Sequence, residues 1–161
     1  MKTVEDFAGF KLRSPNLEGY IKVWEWTGSA PTPLAMGETY TALQQGTVDG
    51  QENSILDSQS YSFQEVCPYW ILTNHVYSAN TIIMDKAYFE SLPEDIQSAL
   101  EEAAVYAGEQ IGQEVLERED AAKEELTAEG VTFVDVDNAA FTKHFSGYAE
   151  ANLPDLADWC N

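Results

Sequence analysis

Apolar and polar positions alternate along Phe10-Lys11-Leu12-Arg13 and the alternation stops at Ser14-Pro15. A period of two predicts a short strand whose carboxyl end carries Arg13. Over residues 17–26 the period changes: Leu17, Tyr20, Ile21 and Trp24 recur every three or four positions, which predicts a helix that Gly28 ends. Pro31 and Pro33 keep residues 30–34 extended, because each biases its predecessor away from helix. Residues 37–45 read as a helix with Tyr40 and Leu43 inward and Gly46 as its stop. Residues 47–50 return to a strand or tight turn, and 54–61 form a short helix.

The second half has a different texture. Residues 69–77 and 81–84 are apolar and β-rich and predict consecutive strands. Leu92-Pro93-Glu94 opens a helix, with proline in the first turn and acids at the positive end of the dipole. Apolar residues then recur at Ile96, Leu100, Ala103, Ala107, Ile111, Val115, Ala122 and Leu126, the mark of one long amphipathic helix that stops at Gly130. Gly108 and Gly112 inside it read first as points of close packing, and alternatively as a bend. Residues 131–136 predict a strand and 138–148 a final helix. Strands alternating with helices make the chain α/β. In open α/β sheets the ligand sits beyond the carboxyl ends of the strands, which is where Arg13 stands.

Charge sharpens this picture. Asp and Glu outnumber Lys and Arg by 28 to 8, for a net charge of −20, so phosphate backbones and anionic lipid are repelled and nucleic acid and membrane surfaces are poor candidate partners. A hydrophobic fraction of 44% is enough for a real core. No apolar run approaches the roughly 20 residues that span a bilayer. Met1-Lys2-Thr3-Val4-Glu5-Asp6 lacks the apolar centre of a secretion signal, which taken alone points to the cytoplasm if Met1 is the true start. The two cysteines, Cys67 and Cys160, form no Cys-x-x-Cys pair; two buried thiols and one long-range disulfide both remain open.

Arg13 is one of two arginines in this acidic chain. Its planar fork matches a carboxylate with two parallel hydrogen bonds, so an anionic ligand is one reading; a salt bridge to one of the protein's own acids is the plainer one. Asn53 follows the glycine turn in Asp49-Gly50-Gln51-Glu52-Asn53, where its amide suits either a ligand oxygen or the cap of helix 54–61. His75 ends an apolar strand, a place where a lone histidine more often serves the core than catalysis. Nothing flanking Cys67 resembles a nucleophile motif, no His/Cys/carboxylate spacing suggests a metal, and no glycine-rich phosphate loop occurs, so no cofactor is expected.

Taken together, Lys11-Leu12-Arg13-Ser14-Pro15, Pro31-Thr32-Pro33, Tyr40-x-Ala42-Leu43-Gln44-Gln45-Gly46-x-Val48-Asp49-Gly50-Gln51-Glu52-Asn53 and Leu72-Thr73-Asn74-His75 resemble the DctP family. These are the extracytoplasmic solute receptors of tripartite ATP-independent periplasmic (TRAP) transporters. The resemblance implies binding rather than catalysis: a type II periplasmic-binding-protein fold that captures a small organic acid, a dicarboxylate or a sugar acid, and hands it to membrane permease subunits without itself inserting in the membrane. It implies that Arg13 holds the substrate carboxylate and that Asn53 contacts the ligand. Asn16, Met36 and His75 match positions in or near the pocket. Many relatives have an aromatic residue where Met36 stands and a proline where Ser54 stands, which leaves the identity of the acid open.

The resemblance is to the second half of such receptors. It implies that residues 1–78 and 119–161 form the C-terminal ligand-binding lobe, while 79–118 are a crossover strand and long helix belonging to the first lobe. A hinge near Ser78–Asn80 and bending at Gly108 and Gly112 would serve closure. On this reading the chain is a fragment or a truncated reading frame of a periplasmic protein, with the apolar faces of 79–118 exposed and ligand binding weak. The alternatives from other classes are an α/β enzyme using Cys67 or His75, and an interaction module working through the acidic helix.

Overall fold

The computed structural model describes residues 1–77 and 80–153. After a 3-10 turn at Val4–Phe7 come strand β1 (Lys11–Ser14), helix α1 (Glu18–Trp26), strand β2 (Ala30–Pro33), helix α2 (Met36–Gln44), strand β3 (Gly50–Gln51) and helix α3 (Ile55–Ser60). Strand β4 (Tyr69–Leu72) follows, then helices α4 (Lys86–Ser91) and α5 (Glu94–Ala128), strand β5 (Thr132–Asp135), and helices α6 (Asn138–His144) and α7 (Tyr148–Asn152).

Two parallel sheets result. In the first, β1 lies between β2 and β3, with Arg13 opposite Thr32 on one side and Gln51 on the other. The second pairs β4 with β5, Tyr69 opposite Thr132 through Leu72 opposite Asp135. Local chemistry explains the corners. Asp49 accepts from the Lys11 amide through Oδ2 at 3.0 Å and donates its own amide to the Lys11 carbonyl at 2.8 Å, which aligns β3 beside β1. Gly50 then passes so close to the Phe10 ring that a Cβ there would lie 2.7 Å from it.

Three apolar clusters hold these parts together. Phe7, Leu12, Trp24 and Phe141 form one, with the Phe7 and Trp24 rings stacked at 5.6 Å. Ala42, Leu43, Val48 and Phe63 form a second. Ala122, Leu126 and Val131 form the third, and Trp70 packs against both of the last two. Helix α5 therefore enters the core only through its final turns. Over most of its length its apolar residues, among them Val105, Tyr106, Ile111 and Leu116, are exposed, as are Ile82 and Ile83 before it.

The helix stops where the sequence predicts. Gly130 adopts φ +100°, and the Val131 amide turns back to the Leu126 carbonyl at 2.9 Å. An L side chain there is strained even though space is open around it. Gly130→Ala should therefore cost about 1–2 kcal/mol in urea unfolding, through backbone strain rather than a clash.

Several expectations need correction. Residues 81–84 pair with no strand among the described residues, because an apolar run becomes a strand only beside a neighbour that takes its backbone hydrogen bonds. The strand expected over 69–77 ends at Leu72 for the same reason. The single final helix over 138–148 is broken between α6 and α7 by Gly147, at φ 84°. A Cβ on Gly108 or Gly112 would meet nothing within 4 Å, so neither is a point of close packing among the described residues. The proposed hinge includes Ser78 and Ala79, which lie outside the described residues, as does Cys160.

Candidate ligand-binding site

The connection β1–α1–β2 leaves on one side of β1, and β2–α2–β3 returns on the other, so β1 marks a switch in strand order. The carboxyl ends of all three strands open on the same edge, the usual place for a ligand in such sheets. Arg13 stands at that edge. It is 4% exposed, and its Nε and Nη2 both donate to the Leu34 carbonyl, at 3.0 and 2.8 Å. Leu34 is held in turn by its own amide, which donates to the Ser14 carbonyl at 3.2 Å.

Such a clamp fixes one side of the guanidinium and leaves its remaining N–H groups without an acceptor among the described residues. No carboxylate there lies within 4.0 Å of it, so the salt bridge that was the plainer reading of Arg13 does not form. Burial lowers the Arg13 pKa, and the negative charge of Glu52 opposes that shift. The group stays cationic in either case.

Met36 opens α2 just beyond Leu34 and is half-buried. The Asn53 amide donates weakly to the Met36 sulfur at 3.6 Å, which brings Arg13, Met36 and Asn53 to one corner. Asn53 is not the cap of α3. Ser54 is, with its Oγ accepting from the Asp57 amide at 3.1 Å. That leaves Asn53 exposed at the edge. Asn16 sits in the turn after β1, exposed and without a side-chain hydrogen bond among the described residues. His75 follows β4 and reaches the same edge through Glu52: its Nε2 is 3.3 Å from Glu52 Oε2.

Glu52 is the residue that sequence reasoning passed over. It is 8% exposed, which is rare for a glutamate in so acidic a chain. Its place between Gln51 and Asn53 was the available signal; its burial was not. Cys67 lines the second apolar cluster, and burial pushes its thiol pKa up, the opposite of what a nucleophile needs. The described residues contain no group of three or more His, Cys, Asp or Glu side chains suited to a metal, and no helix long and apolar enough to cross a membrane.

A parallel sheet with a strand-order switch and a buried cation at the tip of its central strand is an α/β arrangement of the kind that suits ligand binding. The chain matches the family described as bacterial extracellular solute-binding protein, family 7 (DctP), over residues 1–151, and it belongs to that family. A solute-binding protein of Roseobacter denitrificans is 39% identical over 136 residues, covering 84% of this chain and 42% of its own length. The sialic acid-binding periplasmic protein of Vibrio cholerae is 30% identical over 139 residues, covering 85% of this chain and 43% of its own. Among solved structures, a TRAP periplasmic solute binding protein from Roseobacter denitrificans with bound L-galactonate superposes with a TM-score of 0.82 at 34% identity, over 98% of this chain and 53% of that one. The fold is thus the type II periplasmic-binding-protein fold. The chain spans about two fifths of the length of the curated relatives it matches.

Proposed function

We propose that the chain is the solute-binding component of a TRAP transporter, working in the periplasm, and that it captures a sugar acid for delivery to membrane permease subunits. The observation that carries this reading is Arg13: a buried guanidinium, braced on one side by a backbone carbonyl and unpaired with any carboxylate among the described residues. A planar carboxylate is the natural complement of its free N–H groups. Asn53 and Asn16 orient the hydroxyls of the acid, Met36 lies against its apolar face, and His75 supports the site from behind Glu52. Residues 79–118 belong to the opposing lobe, which accounts for the exposed apolar face of α5. Relatives support a sugar acid over a simple dicarboxylate: one solved structure holds L-galactonate, and another relative is named for binding sialic acid.

Isothermal calorimetry with millimolar D-galacturonate, L-galactonate, sialic acid, succinate and uncharged galactose tests the reading. Heat with the sugar acids and none with galactose is expected. Equal heats with galactose and its acid would remove the role of the carboxylate.

A further inference from the structure

Helix α5 carries two apolar faces. The stripe through Leu100, Ile111 and Val115 runs on into Ala122 and Leu126, which are buried. Val105 lies five residues after Leu100 and six before Ile111, out of step with a turn of about 3.6 residues, so it points away from that stripe. Val105, Gly108, Gly112 and Leu116 instead follow one another at steps of three, four and four along the other side. Val105 is 64% exposed, and Leu116 and Tyr106 are 65% exposed, each more than Leu100, Ile111 or Val115.

The two glycines open a notch in this face. Each weakens the helix relative to alanine, and no packing contact among the described residues accounts for either. Spaced at i and i+4, they leave bare backbone that a second helix can approach closely, with Val105 and Leu116 as the walls. At the amino-terminal end of the notch, Glu101, Glu102, Val105, Tyr106 and Glu109 surround one shallow hollow. None of these three glutamates has a basic group within 4.0 Å among the described residues. No lysine or arginine occurs from Glu94 to Glu117, so the helix supplies no cation of its own here. The Tyr106 ring beside the acids offers a cation a π-face as well.

We propose that this face of α5 is a docking surface for a basic amphipathic helix of another protein. An apolar side chain of the partner sits over the glycine notch between Val105 and Leu116, and its lysines or arginines meet Glu101, Glu102 and Glu109 and the Tyr106 ring. Charge complementarity selects this occupant. A second copy of the chain brings the same acids and a net charge of −20, so it is repelled, as are nucleic acid and anionic lipid. A small cation satisfies the glutamates but leaves the apolar notch empty. The stripe through Leu100 and Ile111 is a separate surface, and the docking face depends neither on it nor on Arg13.

The test is fluorescence anisotropy of a labelled synthetic helix of about 18 residues, with leucines along one face and lysines flanking them, titrated with this chain. Binding is expected, and it should weaken about tenfold between about 0.1 M and about 0.5 M salt. A peptide with serine in place of each leucine keeps the charge and should bind about tenfold more weakly. Tyr106→Ser, and the triple variant Glu101→Gln, Glu102→Gln, Glu109→Gln, should each weaken binding about tenfold, while Ile111→Ser on the stripe changes it less than about twofold. Gly112→Leu should weaken binding and yet raise the urea midpoint, which separates a filled notch from a damaged fold. Circular dichroism establishes that each variant is folded. Equal binding of the serine peptide reduces the effect to charge alone, and loss in Ile111→Ser but not in Tyr106→Ser moves it to the stripe. Sedimentation showing a dimer that Tyr106→Ser dissociates makes the occupant a second copy. Each of these results, or no binding at about 0.1 mM chain, overturns the proposal and leaves the solute-binding reading intact.

Discussion

On the proposed reading of Arg13, replacing it with alanine should weaken binding of D-galacturonate by about 2–5 kcal/mol, roughly 30- to 5,000-fold, and take it below detection in this chain. Two losses combine. On that reading the ligand carboxylate would lose a buried cationic partner, and the Leu34 carbonyl loses both of its side-chain donors. Arg13→Lys separates charge from shape. A lysine restores a positive charge but cannot brace two donors on one carbonyl while presenting others to a carboxylate, so it should recover only a small part of the affinity. Calorimetry on both variants, with urea unfolding alongside, checks this; unchanged affinity in Arg13→Ala removes the guanidinium from the site.

Leu126→Ala destabilises the fold by about 2–5 kcal/mol, whereas Tyr106→Ala, twenty residues earlier on the same helix, has an effect within about 0.5 kcal/mol. The contrast follows from burial: Leu126 is 0% exposed inside the third apolar cluster, and Tyr106 is 65% exposed. The cavity left at Leu126 opens beside Ala122 and Val131, where α5 meets the rest of the molecule. Urea midpoints for the two variants decide the matter. A large loss in Tyr106→Ala would mean that the first half of α5 is packed in solution, by another part of a longer chain or by a second copy.

Most of the fold is legible in the sequence because its signals are local. The run from Ile96 to Leu126 keeps a helical period, and Gly130 ends it with a backbone angle that glycine alone adopts freely. Arg13 is legible at a strand tip because Ser14-Pro15 follows it at once. What failed depends on partners distant in sequence. Thr81 to Met84 has strand composition but lacks a strand beside it, and the short helix α4 that follows went unrecognised. Glu52 stayed invisible for another reason: one acid among 28 carries no mark of burial until the fold closes over it. The Leu34 carbonyl that clamps Arg13 was equally beyond reach, since any residue offers the same backbone oxygen.

The pairing of β4 with β5 has a consequence for how the molecule assembles. The three strands of the first sheet are joined by short crossovers, whereas residues 69–72 meet 132–135 only after the chain has closed a loop of roughly sixty residues. Local contacts form first and distant ones last. During biosynthesis the arginine-bearing sheet can thus take shape while the second sheet still waits for its last strand to emerge. Over that interval Trp70 and Phe133 stand apart, and the nascent chain is most exposed to aggregation.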